Sequence, residues 1–205
     1  MSLVELIARA DERGLAVSGL ACLDRCVPLL GGDDEILRPL WAALAGPADA
    51  ETWADRLARV RGALAGPREP GEDEAARLVR TMLAAAPAEP TAAGLRVWAD
   101  ACSLAALRVH RLLDPAGENA PGPRTPLPDD AHVPLPDDAD VPPLDPVDAA
   151  ADASPLVAAE LRRQCAVLEL LAGHGTGGLR RAHEVTTEGR RVLRAVVSRR
   201  ARGRV

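Results

Sequence analysis

The sequence predicts an all-α protein: a multi-helix bundle of about six N-terminal helices plus a C-terminal helical hairpin, interrupted by a disordered, acidic, Pro-rich linker. Three observations carry this. Apolar residues recur at steps of three and four through 1–113 and again through 154–205, the period of a helix with one buried face. The alphabet is rich in Ala, Leu, Arg and Glu and has no Phe or Tyr, which favours helix and speaks against an all-β fold. Eleven of the 18 prolines fall between Pro115 and Pro155, where regular structure is not expected.

Ser2-Leu3-Val4-Glu5 reads as a capping box, the Ser hydroxyl taking the third helical amide and the Glu reaching back to the cap amide. The helix it opens is expected to reach about Arg13, with Gly14 as C-cap. From Leu15 to Leu30, Leu20, Leu23, Val27 and Leu30 form one stripe and Cys22, Cys26 and Leu29 a second, with only Asp24 and Arg25 charged. A helix apolar nearly all round is a buried one, so this is the expected central helix, ended by Gly31-Gly32. Asp33-Asp34-Glu35 suits a helix start. Pro39 either kinks the run Ile36, Leu37, Leu40, Trp41, Leu44 or opens a shorter helix.

Trp53, Leu57, Val60 and Leu64 form a single stripe closed by Gly66-Pro67. Glu72-Asp73-Glu74 charges the next start, ahead of Ala75, Leu78, Val79 and Met82, and Pro87 and Pro90 close that element. Thr91 caps the longest pattern, Leu95, Trp98, Cys102, Ala105, Val109 and Leu112, spaced like a seam that packs against other helices. Residues 114–153 hold ten acids and one Arg and carry a short repeat around Pro-Leu-Pro-Asp-Asp-Ala. Such a stretch buries too little apolar area to offset chain entropy, so a solvated linker is expected. Ser154-Pro155 restarts the helix as N-cap and first residue, with Ala158, Leu161, Cys165, Leu168 and Ala172 as its stripe. A Gly-rich break at 173–178 precedes the last helix, striped by Ala182, Val185, Gly189, Val192 or Leu193, and Val196. Gly189 on that stripe implies close approach of a neighbour.

The chain therefore divides into a helical bundle over 1–113, a linker over 114–153 and a C-terminal hairpin over 154–205 expected to pack on the bundle. The formal net charge of −5 hides a strong asymmetry: the three segments carry −3, −9 and +7. All 25 basic residues are Arg, with one Asn and one Gln in the chain, the set that GC-rich codons encode and that points to a high-GC bacterium. No apolar run is long enough to cross a membrane, and the charged first residues do not read as a signal peptide. A cytoplasmic location and reduced thiols are expected.

Three places invite a functional reading. Cys22 and Cys26 lie at i and i+4, a spacing at which two thiolates could share one metal, but no further ligands are near in sequence and both fit the core as small apolar residues. No metal and no cofactor is expected. Gly173-His-Gly-Thr-Gly-Gly178 has the outline of a dinucleotide loop but lacks the preceding strand. A helix–helix turn capped by Thr176 explains it, and Gly175, Thr176, Gly177, Arg180 and Arg181 remain a weak anion-site candidate. The Arg-rich end, Arg190, Arg191, Arg194, Arg199 and Arg200, is the candidate surface for an anionic partner.

No nucleophile elbow, phosphate loop with Lys, H-E-x-x-H or paired E-x-x-H occurs, so an enzyme is not expected. The sequence is read as a non-catalytic interaction or regulatory protein with a protein partner or self-association. A nucleic-acid-associated protein acting through the Arg-rich helix is the first alternative and an α-helical repeat scaffold the second.

Overall fold

A computed structural model describes residues 1–33, 35–46, 50–66, 73–114 and 154–203. Among them the chain is all helix, with no strand. Six helices precede the acidic segment: α1 (Leu3–Arg9), α2 (Glu12–Cys26), α3 (Arg38–Ala45), α4 (Ala50–Leu64), α5 (Glu74–Ala84) and α6 (Ala92–Leu113). Two follow it: α7 (Pro155–His174) and α8 (Leu179–Gly203). Of the expected linker only Asp114 is described; 115–153 lies outside the described residues.

The capping box forms as expected: Ser2 Oγ accepts from the Glu5 amide and Glu5 returns to the Ser2 amide at 2.9 Å. The first helix does not reach Arg13. Asp11 is extended and caps a new helix, its Oδ1 accepting from Gly14 N–H at 2.7 Å. Gly14 is therefore not a C-cap but a buried residue of α2, where a methyl group would press on Asp11 and Ala10. α2 is the central helix, buried from Gly14 through Cys26. It ends four residues before Leu30, because Pro28 supplies no amide and Val27–Leu30 tightens into a 3₁₀ turn. Gly31 then turns out at φ 70°, a conformation suited to Gly. Pro39 sits in the first turn of a short α3 and kinks nothing.

α2 packs against α3, α5, α6, α7 and α8. The helices thus gather around one central element. Gly19 brings α6 close: a methyl there would lie 2.6 Å from the Trp98 ring. Trp98 donates to the Met82 carbonyl at 2.9 Å and Trp53 to the Pro87 carbonyl at 2.8 Å, and the two rings meet edge to face. Each indole thus fills the Leu/Ala core with its body and satisfies its N–H on backbone.

The apolar core takes residues from both sides of the acidic segment, Leu20 and Trp98 as well as Val167, Leu171 and Leu193. The stripe expected for α7 is corrected by rotation. Ala158, Leu161 and Cys165 are only half-buried and Ala172 is exposed, whereas Val157, Glu160, Gln164, Val167, Leu168 and Leu171 face inward. The two polar residues on that inner face govern how α7 docks.

Arginine closes helix ends throughout, as cationic side chains near helix C-termini do. Arg61 of α4 donates to the carbonyls of Leu83, Ala84 and Ala86 at the end of α5, and Arg80 of α5 donates to Leu64 at the end of α4. Arg13 serves Gly46 at the end of α3, and Arg96 serves Ile7 in α1.

Candidate functional site

Two structural features bear on function: a buried polar network that joins the central helix to the C-terminal hairpin, and a groove at the opposite end of the central helix.

Arg25, in the last turn of α2, is fully buried and meets Glu160 of α7 in a two-pronged pair, Nε to Oε2 at 2.8 Å and Nη2 to Oε1 at 2.6 Å. Gln164, one turn along α7, donates to Glu160 Oε1 at 2.9 Å and to the Ser103 carbonyl, while Ser103 Oγ donates to Gln164 Oε1 at 2.6 Å. His110 of α6 places Nδ1 on the Ala106 carbonyl at 2.8 Å and Nε2 at 3.5 Å from Glu160 Oε2. A carbonyl only accepts, so Nδ1 carries the proton and Nε2 faces the carboxylate. Burial alone would push the Glu160 carboxyl up. The Arg25 charge outweighs it, helped by His110 once that ring is protonated, and holds the group below its ordinary value. Burial pushes His110 down, against the pull of Glu160.

A second pair lies beside the first. Asp24 accepts from Trp41 Nε1 at 2.8 Å and pairs with Arg190 of α8 at 2.5 Å. Gly189, the neighbour of Arg190, is where the Arg25 and Arg163 stems cross α8: a methyl there would overlap Arg25 Cδ and lie 2.9 Å from Arg163 Cδ. The close approach implied by its place on the stripe is thus made to two arginine stems rather than to a helix backbone.

Cys22 and Cys26 are buried against this network. Burial pushes the Cys22 thiol up to about 12 and the Cys26 thiol well above its ordinary value, which disfavours the reactive thiolate form. Arg25 Nη2 donates to Cys22 Sγ at 3.4 Å. Among the described residues no group of three or more His, Cys, Asp and Glu is placed to hold a metal ion.

The candidate arginines separate. Arg190 is buried and paired with Asp24. Arg194 donates to the Gly32 carbonyl and Arg200 to the Leu112 carbonyl at 2.5 Å. Arg191 is exposed and lies 3.9 Å from Glu188, and Arg199 is exposed. Three of the five thus make contacts within the fold. The weak anion candidate also divides. Gly175, at φ 50°, closes α7 with its N–H on the Leu171 carbonyl, and Thr176 offers its carbonyl to the Leu179 amide. Gly177 is exposed, Arg180 pairs with Glu184 at 3.3 Å, and Arg181 is exposed.

Gly175 and Thr176 line one end of the groove, about 1020 Å³, which runs between the starts of α2, α4 and α6 and the α7–α8 turn. Ala16, Leu44, Trp53, Leu95 and Leu171 form much of its wall, with Asp11, Glu12, Glu89 and Arg13 as its ionisable groups among the described residues. No sequence pattern announces it, because its walls come from five separate helices. The buried network, by contrast, has a signal: Asp24 and Arg25 are the sole charges in the run from Leu15 to Leu30 and require partners if that run is buried.

Comparison with protein-family models, with curated proteins and with solved structures finds no match to this chain.

Proposed function

We propose that this protein is a non-catalytic interaction protein that acts by binding a protein partner. One observation carries the reading. The buried acid and base pairs, Arg25 with Glu160 and Asp24 with Arg190, are consumed in fastening α2 to α7 and α8, and His110 and Gln164 are held in the same network. None of these groups lines the groove, whereas a catalytic acid or base must reach a substrate atom. The outer face of α6 supplies an apolar contact: Val97 and Leu104, seven residues apart on one side of the helix, are 71% and 70% exposed. Large apolar side chains presented together on one face suit a protein contact. The nucleic-acid alternative draws less support, since Arg190, Arg194 and Arg200 make contacts within the fold.

The test uses the full chain as bait in lysate of its own source, with a Val97→Ser, Leu104→Ser double variant alongside. A partner recovered in stoichiometric amount by the native chain and lost by the variant is the expected result. No partner, together with turnover of a metabolite by the purified protein, would overturn the reading. Sedimentation of the purified chain tells a second copy from a different protein.

A further inference from the structure

We propose that the groove between the starts of α2, α4 and α6 and the α7–α8 turn binds an amphipathic organic cation, an apolar body ending in an ammonium group. The inference goes beyond the protein-partner reading and stands on a different surface from Val97 and Leu104.

Size and wall chemistry call for an apolar body. At about 1020 Å³ the groove is at the upper end of the range of small-molecule pockets, roughly 300–1,000 Å³. Leu44, Trp53, Leu95 and Leu171, from four different helices, line it. Trp53 is oriented by its bond to the Pro87 carbonyl.

Charge selects the polar end. Among the described residues, three carboxylates, Asp11, Glu12 and Glu89, and one Arg line the groove. The guanidinium of Arg13 is turned onto the Gly46 carbonyl at 3.2 Å. Helix starts ordinarily favour anions through their free amides, but here side chains already serve them: Asp11 takes the Gly14 amide for α2, and Thr91 takes the Gly94 amide for α6. α4 has its own acid, Glu51, in its first turn. The ends of α2 and α6 bring about half a positive charge each. Asp11 offsets those two ends and Arg13 offsets one more carboxylate, which leaves the described lining with a net charge of about one negative unit. Glu12 and Glu89 are exposed, with no ion-pair partner among the described residues. A monovalent cation with an apolar body completes that balance, whereas an anion would add to the excess.

The experiment is calorimetric titration of the full chain with octylammonium, octanol and octanoate, all below their micelle concentrations. Octylammonium should bind tightest, about fivefold over octanol, the size of one partly exposed ion pair, with octanoate weakest. In a Glu12→Gln, Glu89→Gln variant, whose exposed side chains leave the core untouched, the three probes should converge. An Ala43→Trp variant, which places an indole in the groove, should lose all three while its circular dichroism stays native. Octanoate binding as well as octylammonium, an unchanged preference in the double Gln variant, or absence of binding by all three probes to the native chain would each overturn the proposal. None of these outcomes bears on partner capture through α6, which the Val97, Leu104 variant reads separately.

Discussion

Arg25 and Glu160 stand 135 positions apart in the chain and meet in a fully buried two-pronged ion pair, at 2.8 and 2.6 Å. The pair joins α2, the centre of the bundle, to α7, the first helix after the acidic segment. Asp24 and Arg190 repeat the arrangement between α2 and α8. Adjacent residues of one helix thus fasten both halves of the C-terminal hairpin.

Removal of one partner leaves a bare charge in the core. Glu160→Gln or Arg25→Ala should lower unfolding free energy by about 3–5 kcal/mol. An Arg25→Met, Glu160→Leu double variant should cost clearly less, because it removes the desolvation penalty of both charges. Urea unfolding of the three proteins measures this. A double variant as unstable as either single one would show that the pair contributes more than mutual neutralisation.

Acid should loosen the same joint. The folded pKa of His110 lies below its ordinary 6.5 because burial disfavours the imidazolium. The unfolded chain then binds more protons just below pH 6.5, so stability falls as pH drops from there toward the folded value. Glu160 is lowered from 4.5, chiefly by Arg25 acting against burial, and its contribution is lost only at lower pH, as its folded value is crossed. Chemical denaturation across this range should show the loss beginning just below pH 6.5 in the native chain and later in His110→Gln. Unchanged onset in that variant would locate the effect elsewhere.

Two glycines inside helices should answer the same substitution with opposite signs. At Gly62 of α4 an added methyl meets nothing within 4 Å, so Gly62→Ala should stabilise by up to about 1 kcal/mol through helix propensity. At Gly189 the methyl overlaps the Arg25 stem, and the cost of displacing a buried ion pair exceeds the same gain. Thermal melts of the two variants should therefore move in opposite directions.

The arginines of α8 should likewise divide by destination. Arg190→Ala strands Asp24 in the core and should cost about 3–5 kcal/mol. Arg191→Ala and Arg199→Ala alter exposed side chains and should stay within about 0.5 kcal/mol. Equal melting temperatures for Arg190→Ala and Arg199→Ala would contradict the placement of Arg190.

What the sequence determined by itself is local. Caps at Ser2, Thr91 and Ser154 lie where their spacing places them, because an N-cap needs only the next three residues. The stripe Trp53, Leu57, Val60, Leu64 is buried as read, since helix period alone puts those residues on one face. What the tertiary structure decided is which partner each polar residue finds. The buried face of α7 carries Glu160 and Gln164, which a hydrophobic pattern assigns to solvent, because their partners Arg25 and Ser103 lie far away in sequence. The net charge of +7 over 154–205 reads as a surface for anions until Arg190, Arg194 and Arg200 are found bonded to Asp24, Gly32 and Leu112. Charge composition counts ionised groups, whereas burial and geometry determine which of them face solvent.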